Sequence, residues 1–197
     1  MIELPDGVVP NGIALRLMDF GGTMRPPLGG PLLRVNRLGN RFAAAVSLPP
    51  IPNKDLGRVV VSRLIRAKVE GLRIELPLCG VDQGSPGSPL VNGAGQAGYS
   101  LDIDGLTPGY GFSEGYWFSI VSAGQHYLHN VAAAGMADET GAATIEFAPA
   151  LRISPENNAA IHLAAPMMEG LVTGDEFAWS YSLAHHVGIE FEIEEAA

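Results

Sequence analysis

Along residues 12–20, Ile13, Leu15 and Leu17 interleave with Ala14, Arg16 and Met18. A period of two marks a half-buried strand. The stretch GGTMRPPLGGP that follows is too rich in Gly and Pro to hold regular pairing. Residues 32–35 and 41–48 read as two further strands flanking a turn at Leu38-Gly39-Asn40, a hairpin with basic residues at its tip. From Lys54 to Val69 the period lengthens. Leu56, Val60, Leu64 and Ala67 form one stripe with Val61 and Ile65 beside it, while Lys54, Arg58, Arg66 and Lys68 cover much of the rest. This is an amphipathic helix, with Asn53 expected as its N-cap and Gly71 as its stop.

After a strand at 72–78 comes VDQGSPGSPLVNGAGQAG, expected to be irregular, and a domain boundary is placed between Leu76 and Val81. Short strands are then predicted at 100–103, 116–121, 126–132, 143–147 and 161–164. Gly105, Pro108-Gly109, Ala123-Gly124 and Asp138-Glu139-Thr140-Gly141 supply the turns between them. Five strands so closely spaced suit a small barrel of the oligonucleotide-binding type. Segments 171–172, 176–181 and 187–193 finish the chain, the last alternating Ile189, Phe191 and Ile193 against Glu190, Glu192 and Glu194. One helix among many strands predicts a mainly β fold.

Composition narrows the class. Of 197 residues, 47% are hydrophobic and 17% charged, which suits a globular chain. The 25 glycines and 15 prolines fit short strands and turns. No signal peptide is visible in MIELPDG, and residues 115–137, though uncharged, carry too many polar groups for a membrane span. A single cysteine, Cys79, rules out an intramolecular disulfide and reads as a buried thiol among Leu76, Leu78 and Val81. Charge is unevenly placed. Residues 1–73 hold 11 of the 12 Lys and Arg against 5 acids, whereas residues 74–197 hold only Arg152 against 16 acids. The arginines lack the aromatic interleaving of a base-stacking surface, which favours a basic face meeting an acidic face on another subunit.

Several patterns invite a chemical reading. Gly93-Ala94-Gly95-Gln96-Ala97-Gly98 matches the dinucleotide-binding G-x-G-x-x-G. That motif binds pyrophosphate only between a strand and a helix N-terminus. Pro89 before it and Asp102, Asp104, Gly105 and Pro108 after it oppose both elements, so a glycine-rich loop is expected. His126 and His129 would share a face in a helix but point to opposite sides of a strand, and His185 and His186 likewise diverge. With His162 these make five histidines and no metal-binding spacing. Asp102 and Asp104 lie on one side of a strand but read as solvated turn-flanking residues, and Asp138 to Gly141 lacks the ligand series of a calcium loop. No nucleophile elbow is present. The aromatic set Tyr110, Phe112, Tyr116, Trp117 and Phe118 reads as barrel core, with a sugar-binding surface as the alternative. No catalytic, cofactor-binding or metal residues are assigned, and no cofactor is expected.

GAGQAGYSLDIDGL followed by GYWFSIVSAGQHYLHNVAAAGMADETGAATIEFAPALR is similar to a module of siphophage tail proteins. There a G-A-G-Q-[ST]-G-like loop leads to a short strand, a hairpin, a D-x-x-G turn and a strand ending in P-x-L-R. This chain departs at Ala97, where a hydroxyl residue is usual. The segment from Phe42 to Pro50, the helix after it and the closing acidic strand also resemble that family, the distal tail proteins of siphophages. The resemblance implies a tail-tube-like β-sandwich or split barrel with one helix, built from 1–77 and 160–197, with an oligonucleotide-binding-like barrel inserted at 78–159. It implies a structural virion protein rather than an enzyme, forming a hexameric ring between the tail tube protein and the tail-tip hub protein. Tail fibres are a further implied partner, and DNA passes through the ring without sequence-specific binding. Such a protein is made in the host cytoplasm and resides at the tail tip, with no membrane partner. The alternatives carried forward are a carbohydrate- or receptor-binding module using Trp117 or Tyr116, and a small hydrolase using His126 or His129 with Asp102 or Asp104.

Overall fold

The two ends of the chain meet in one sheet. In the computed structural model, which describes residues 1–196, the first part comprises β1 (Ile2–Glu3), β2 (Gly12–Met18), β3 (Gly22–Met24), β4 (Leu33–Val35) and β5 (Arg41–Pro52). A π-turn (Asn53–Gly57), α1 (Arg58–Glu70) and β6 (Leu72–Glu75) follow. The middle supplies β7 (Gly87–Val91), β8 (Ser100–Leu106), β9 (Gly111–Phe112), β10 (Trp117–Ser122), β11 (Gln125–Val131), β12 (Gly135–Met136), β13 (Ala143–Ala148) and β14 (Ile161–His162). The chain closes with β15 (Met167–Val172), β16 (Trp179–Tyr181) and β17 (His186–Glu195). The fold is mainly β, with one α-helix among the described residues, and no described helix is long and apolar enough to cross a membrane.

The first sheet runs β1-β6-β15-β17-β5-β2, with β16 paired to β17. Its long seam is β17 against β5, where Val187, Ile189, Phe191 and Ile193 face Phe42, Ala44, Val46, Leu48 and Ile51 in one core. Glutamates 190, 192 and 194 point the other way, as the alternation predicts. Helix α1 buries Val60, Val61, Leu64 and Ala67 on this sheet. Val60, Val61 and Leu64 each contribute about 1.5–3 kcal/mol by burial. Gly71 ends α1 at a φ of 78°, donating its N–H to Ala67 O at 2.9 Å. Gly170 is required by close approach: a Cβ there would lie 1.9 Å from the Glu194 carbonyl oxygen on the paired strand.

The second sheet, β14-β10-β11-β13-β8-β7, curls into a nearly closed barrel. A bridge between Leu90 and Ala160, with the Val91 N–H on Ala159 O, brings its edges together. Phe118, Phe147, Leu101, Ile103 and Ile145 fill it. The barrel sheet extends past the expected insert of 78–159, because Ile161 and His162 pair with β10.

Three local expectations are corrected. Segment 33–35 pairs with β3 and not with β5, whose two edges are already taken by β2 and β17. Residues 19–40 therefore leave the sheet as an arm with its own small hairpin, whose first strand, Gly22–Met24, falls in the stretch expected to hold no regular pairing. Asn53 does not cap the helix with its side chain. Its N–H instead bonds His185 O at 2.8 Å, and regular α-helix begins only at Arg58. The stretch expected to be irregular contains β7, whose register shift between Gly87 and Leu90 accommodates Pro89.

The barrel is fastened to the sheet through β11, which is buried on both faces. Leu128 joins the sheet core, while Val131 joins the barrel core. Glu195, at the end of β17, accepts the N–H groups of Phe42 (2.7 Å) and Leu128 (2.8 Å) and pairs with Arg152 Nη2 at 2.7 Å. Ser119 Oγ accepts the Met167 N–H at 3.0 Å, and Trp117 meets Phe42 edge-on at 5.1 Å. Arg152→Met would strand a buried carboxylate and is expected to cost about 3–5 kcal/mol in chemical denaturation. Adding Glu195→Gln should recover much of that loss, whereas strictly additive losses would show that the two are not coupled.

Candidate functional site

The glycine-rich loop is built around one side chain. Gln96 folds inward, its Nε2 donating to the carbonyls of Asn92 (3.0 Å), Gly93 (3.2 Å) and Asp102 (3.1 Å). Its Oε1 accepts the Asp102 N–H at 2.7 Å. Gly93, Gly95 and Gly98 have φ values of 100°, 82° and 95°, the left-handed backbone this tight loop needs. Strand β8 follows, not a helix, so no helix N-terminus faces the loop. The glycines serve a turn, and the glutamine closes it.

The five histidines separate into two buried environments and an exposed turn. His126 and His162 lie with ring centroids 5.0 Å apart, and His126 Nδ1 is 3.3 Å from Ser119 Oγ. Ser119 is fully buried at the junction with β15, so the Ser–His contact is closed to substrate. His129 points into the barrel, stacked on Phe118 at 5.5 Å and edge-on to Phe147 at 4.8 Å. Its Nδ1 lies 3.0 Å from Pro149 O and, facing a carbonyl, carries the proton. His185 has a positive φ of 61° in the β16–β17 turn, and His186 Nδ1 bonds Ala184 O. Strand alternation thus separates His126 from His129. Among the described residues no group of three His, Cys, Asp or Glu is placed to hold a metal ion.

Burial decides the charge of the two inner histidines. Loss of water pushes His126 down to about 4, with the Arg73 guanidinium and His162 adding to the effect. Burial takes His129 down to about 3, opposed by its bond to Pro149 and assisted by Arg152. Both are neutral at pH 7 and unsuited to shuttle protons there. Glu195 is pushed up by burial, while Arg152 and then its two N–H donors hold it down.

The other candidates also take structural roles. Asp102 Oδ1 accepts the Thr144 hydroxyl at 2.6 Å on the neighbouring strand. Asp138 Oδ1 accepts from Thr140 N, Thr140 Oγ1 and Ala142 N, closing its own turn and holding its carboxyl below the usual range. Phe112 and Phe118 are barrel core, with Tyr110 and Tyr116 packed against it. Trp117 faces the first sheet, its backbone N–H held by Gln83 Oε1 at 2.7 Å. Trp117 and Tyr116 are each half-buried, one against the first sheet and the other against the barrel. Cys79, expected to be buried, is exposed at a φ of 47°, on the lip of a crevice lined by Leu15, Leu76 and Trp117.

Exposure instead concentrates at two ends of the β2–β5–β17 ribbon. The arm carries Met24, Leu28, Leu32, Leu33 and Leu38 in the open, and the β16–β17 hairpin carries Trp179, Tyr181 and Leu183. Neither set was legible as a surface, because apolar residues in a chain read as core until pairing is known. A groove of about 850 Å³ lies between them on the sheet, with Ala14, Ala45 and Ser47 on its floor and Glu176, Glu190 and Glu192 at its rim.

The buried histidines make stability depend on pH. Their folded values lie below the ordinary 6.5, so the unfolded chain binds more protons between pH 6.5 and about 3. The contribution of these histidines is fully present well above pH 6.5 and is lost as the pH drops through that window. At pH 5 His129 alone accounts for about 2 kcal/mol. Thermal melting at pH 5 should fall roughly 4–8 °C below that at pH 7 from this term. His129→Phe should reduce the pH dependence, and a profile unchanged from the parent would show that His129 is not its source. No protein-family model matches this chain, and no curated protein does.

Proposed function

We propose that this protein is a structural ring component of a phage tail tip, of the distal tail type, joining the tail tube protein to the tail-tip hub protein. The observation that carries this reading is the layout of the chain. Residues from both ends build one sheet bearing a single helix, and the residues between them build a separate small barrel. That is the arrangement implied by the resemblance of the glycine loop, the hairpin and the acidic closing strand. The polar and aromatic residues that invited enzymatic or sugar-binding readings are spent on loop closure, turn formation and core packing. A structural role accounts for them without a catalytic centre.

A head-to-tail contact uses two different surfaces of one subunit and closes into a ring when the rotation permits. In the folded chain Arg16, Arg41 and Arg73 of the basic first third pair with Glu192, Glu194 and Glu169 of the closing segment, so much of the split is met within one subunit, and the net charge of −9 lets DNA pass through a ring without adhering. Tail fibres are a further attachment in this reading, and the place of action is the virion tail tip. The expected result is a closed ring, hexameric by family resemblance, in electron micrographs and light scattering of the purified protein. A strictly monomeric species at high concentration would count decisively against it.

A further inference from the structure

From the two exposed ends of the ribbon, we infer that the arm at 19–40 of one copy docks on the β16–β17 hairpin of a second copy. The inference rests on the ring reading above and specifies its contact. The arm leaves the sheet between Met18 and Arg41, which pair with each other at one end of β5. The β16–β17 turn lies at the other end, where His186 pairs with Pro52. Twelve residues of strand separate the two ends, about 35–40 Å at the usual rise of a strand. An arm therefore reaches the hairpin of a neighbour and not its own.

Both surfaces are apolar and uncovered. Leu28, at the tip among Pro26, Pro27 and Pro31, is 98% exposed, and Leu183 in the hairpin turn is 101% exposed. Two apolar sets of this kind on one chain exceed the scattered exposed leucines of an ordinary surface. The charges match as well. Arg34 on the arm is occupied by Asp19, but Arg25 and Arg37 are exposed and make no ion pair among the described residues. At the base of the hairpin, before β16 and away from its Leu183 tip, Asp175 and Glu176 are exposed and likewise unpaired among the described residues. Trp179 and Tyr181 add aromatic faces that an arginine can cover. The occupant is thus a second copy of this chain, held by leucines on aromatics and arginines on carboxylates. Each copy uses its arm once and its hairpin once, which is the heterologous contact a ring requires.

Cysteines at the two tips test this contact. In a Cys79→Ser background, which removes the exposed native thiol, Leu28→Cys and Leu183→Cys are combined and the assembled protein is oxidised. A disulfide needs the two Cα atoms within about 7 Å, so a link within one chain is out of reach. The expected product is a ladder of covalent multimers that neither single-cysteine variant gives. Arg25→Glu with Arg37→Glu should raise the concentration at half-assembly at least tenfold, and Asp175→Arg with Glu176→Arg should restore it. Assembled particles that yield no ladder, or that need the tube or hub protein to form one, would overturn the copy-to-copy contact while leaving the ring standing. A charge reversal without rescue would overturn the arginine–carboxylate pairing. A parent protein monomeric at every concentration would overturn both this inference and the ring.

Discussion

Glu195 places a carboxylate at the last position of the last strand, 2% exposed, where an isolated charge would cost several kcal/mol to bury. It is tolerated because three donors converge on it: the N–H of Phe42 on β5, the N–H of Leu128 on β11 and the guanidinium of Arg152. These come from the first sheet, the barrel and the segment leaving the barrel. The architecture consequently converges on this one charge. The barrel is held in a fixed orientation because a charged acceptor has directional partners, which apolar packing alone lacks. Around it Trp117 on Phe42 and Ser119 on Met167 extend the same junction.

With the barrel fixed on one side, the β2–β5–β17 ribbon keeps its two ends open. Both edges of β5 are taken by β2 and β17, so segment 33–35 cannot pair with it, and residues 19–40 project with their own small hairpin. The apolar arm is thus a consequence of the same pairing that builds the core. At the opposite end, β16 pairs only to β17 and leaves its aromatic residues in the open. The exposed apolar residues of the arm and the hairpin are the parts that this pairing leaves unburied.

The buried histidines belong to the same economy. Neutral His129 fills a place between Phe118 and Phe147 and satisfies the Pro149 carbonyl, as an aromatic ring with one useful proton. Its apparent promise as a catalytic or metal-binding group depended on access that the barrel removes. Gln96 makes the parallel point in the glycine loop, where three carbonyls and one N–H converge on one amide.

Periodicity was enough to read α1, the acidic face of β17, the five main barrel strands and the mainly β class, because these rest on local alternation of apolar and polar residues. It also separated His126 from His129, since a strand sends offsets of three to opposite faces. It could not show which strands would pair. The partner of segment 33–35, the strand hidden around Pro89 and the loss of Asn53 as a cap were settled by competition for strand edges and backbone donors between distant residues. The convergence of Glu195 on Leu128 and Arg152 spans 67 and 43 residues. Contacts of that range leave no periodic trace in a chain, because they depend on where folded elements come to rest. Local pattern decides what each segment can become, and long-range burial decides which polar groups need partners and which apolar ones remain exposed.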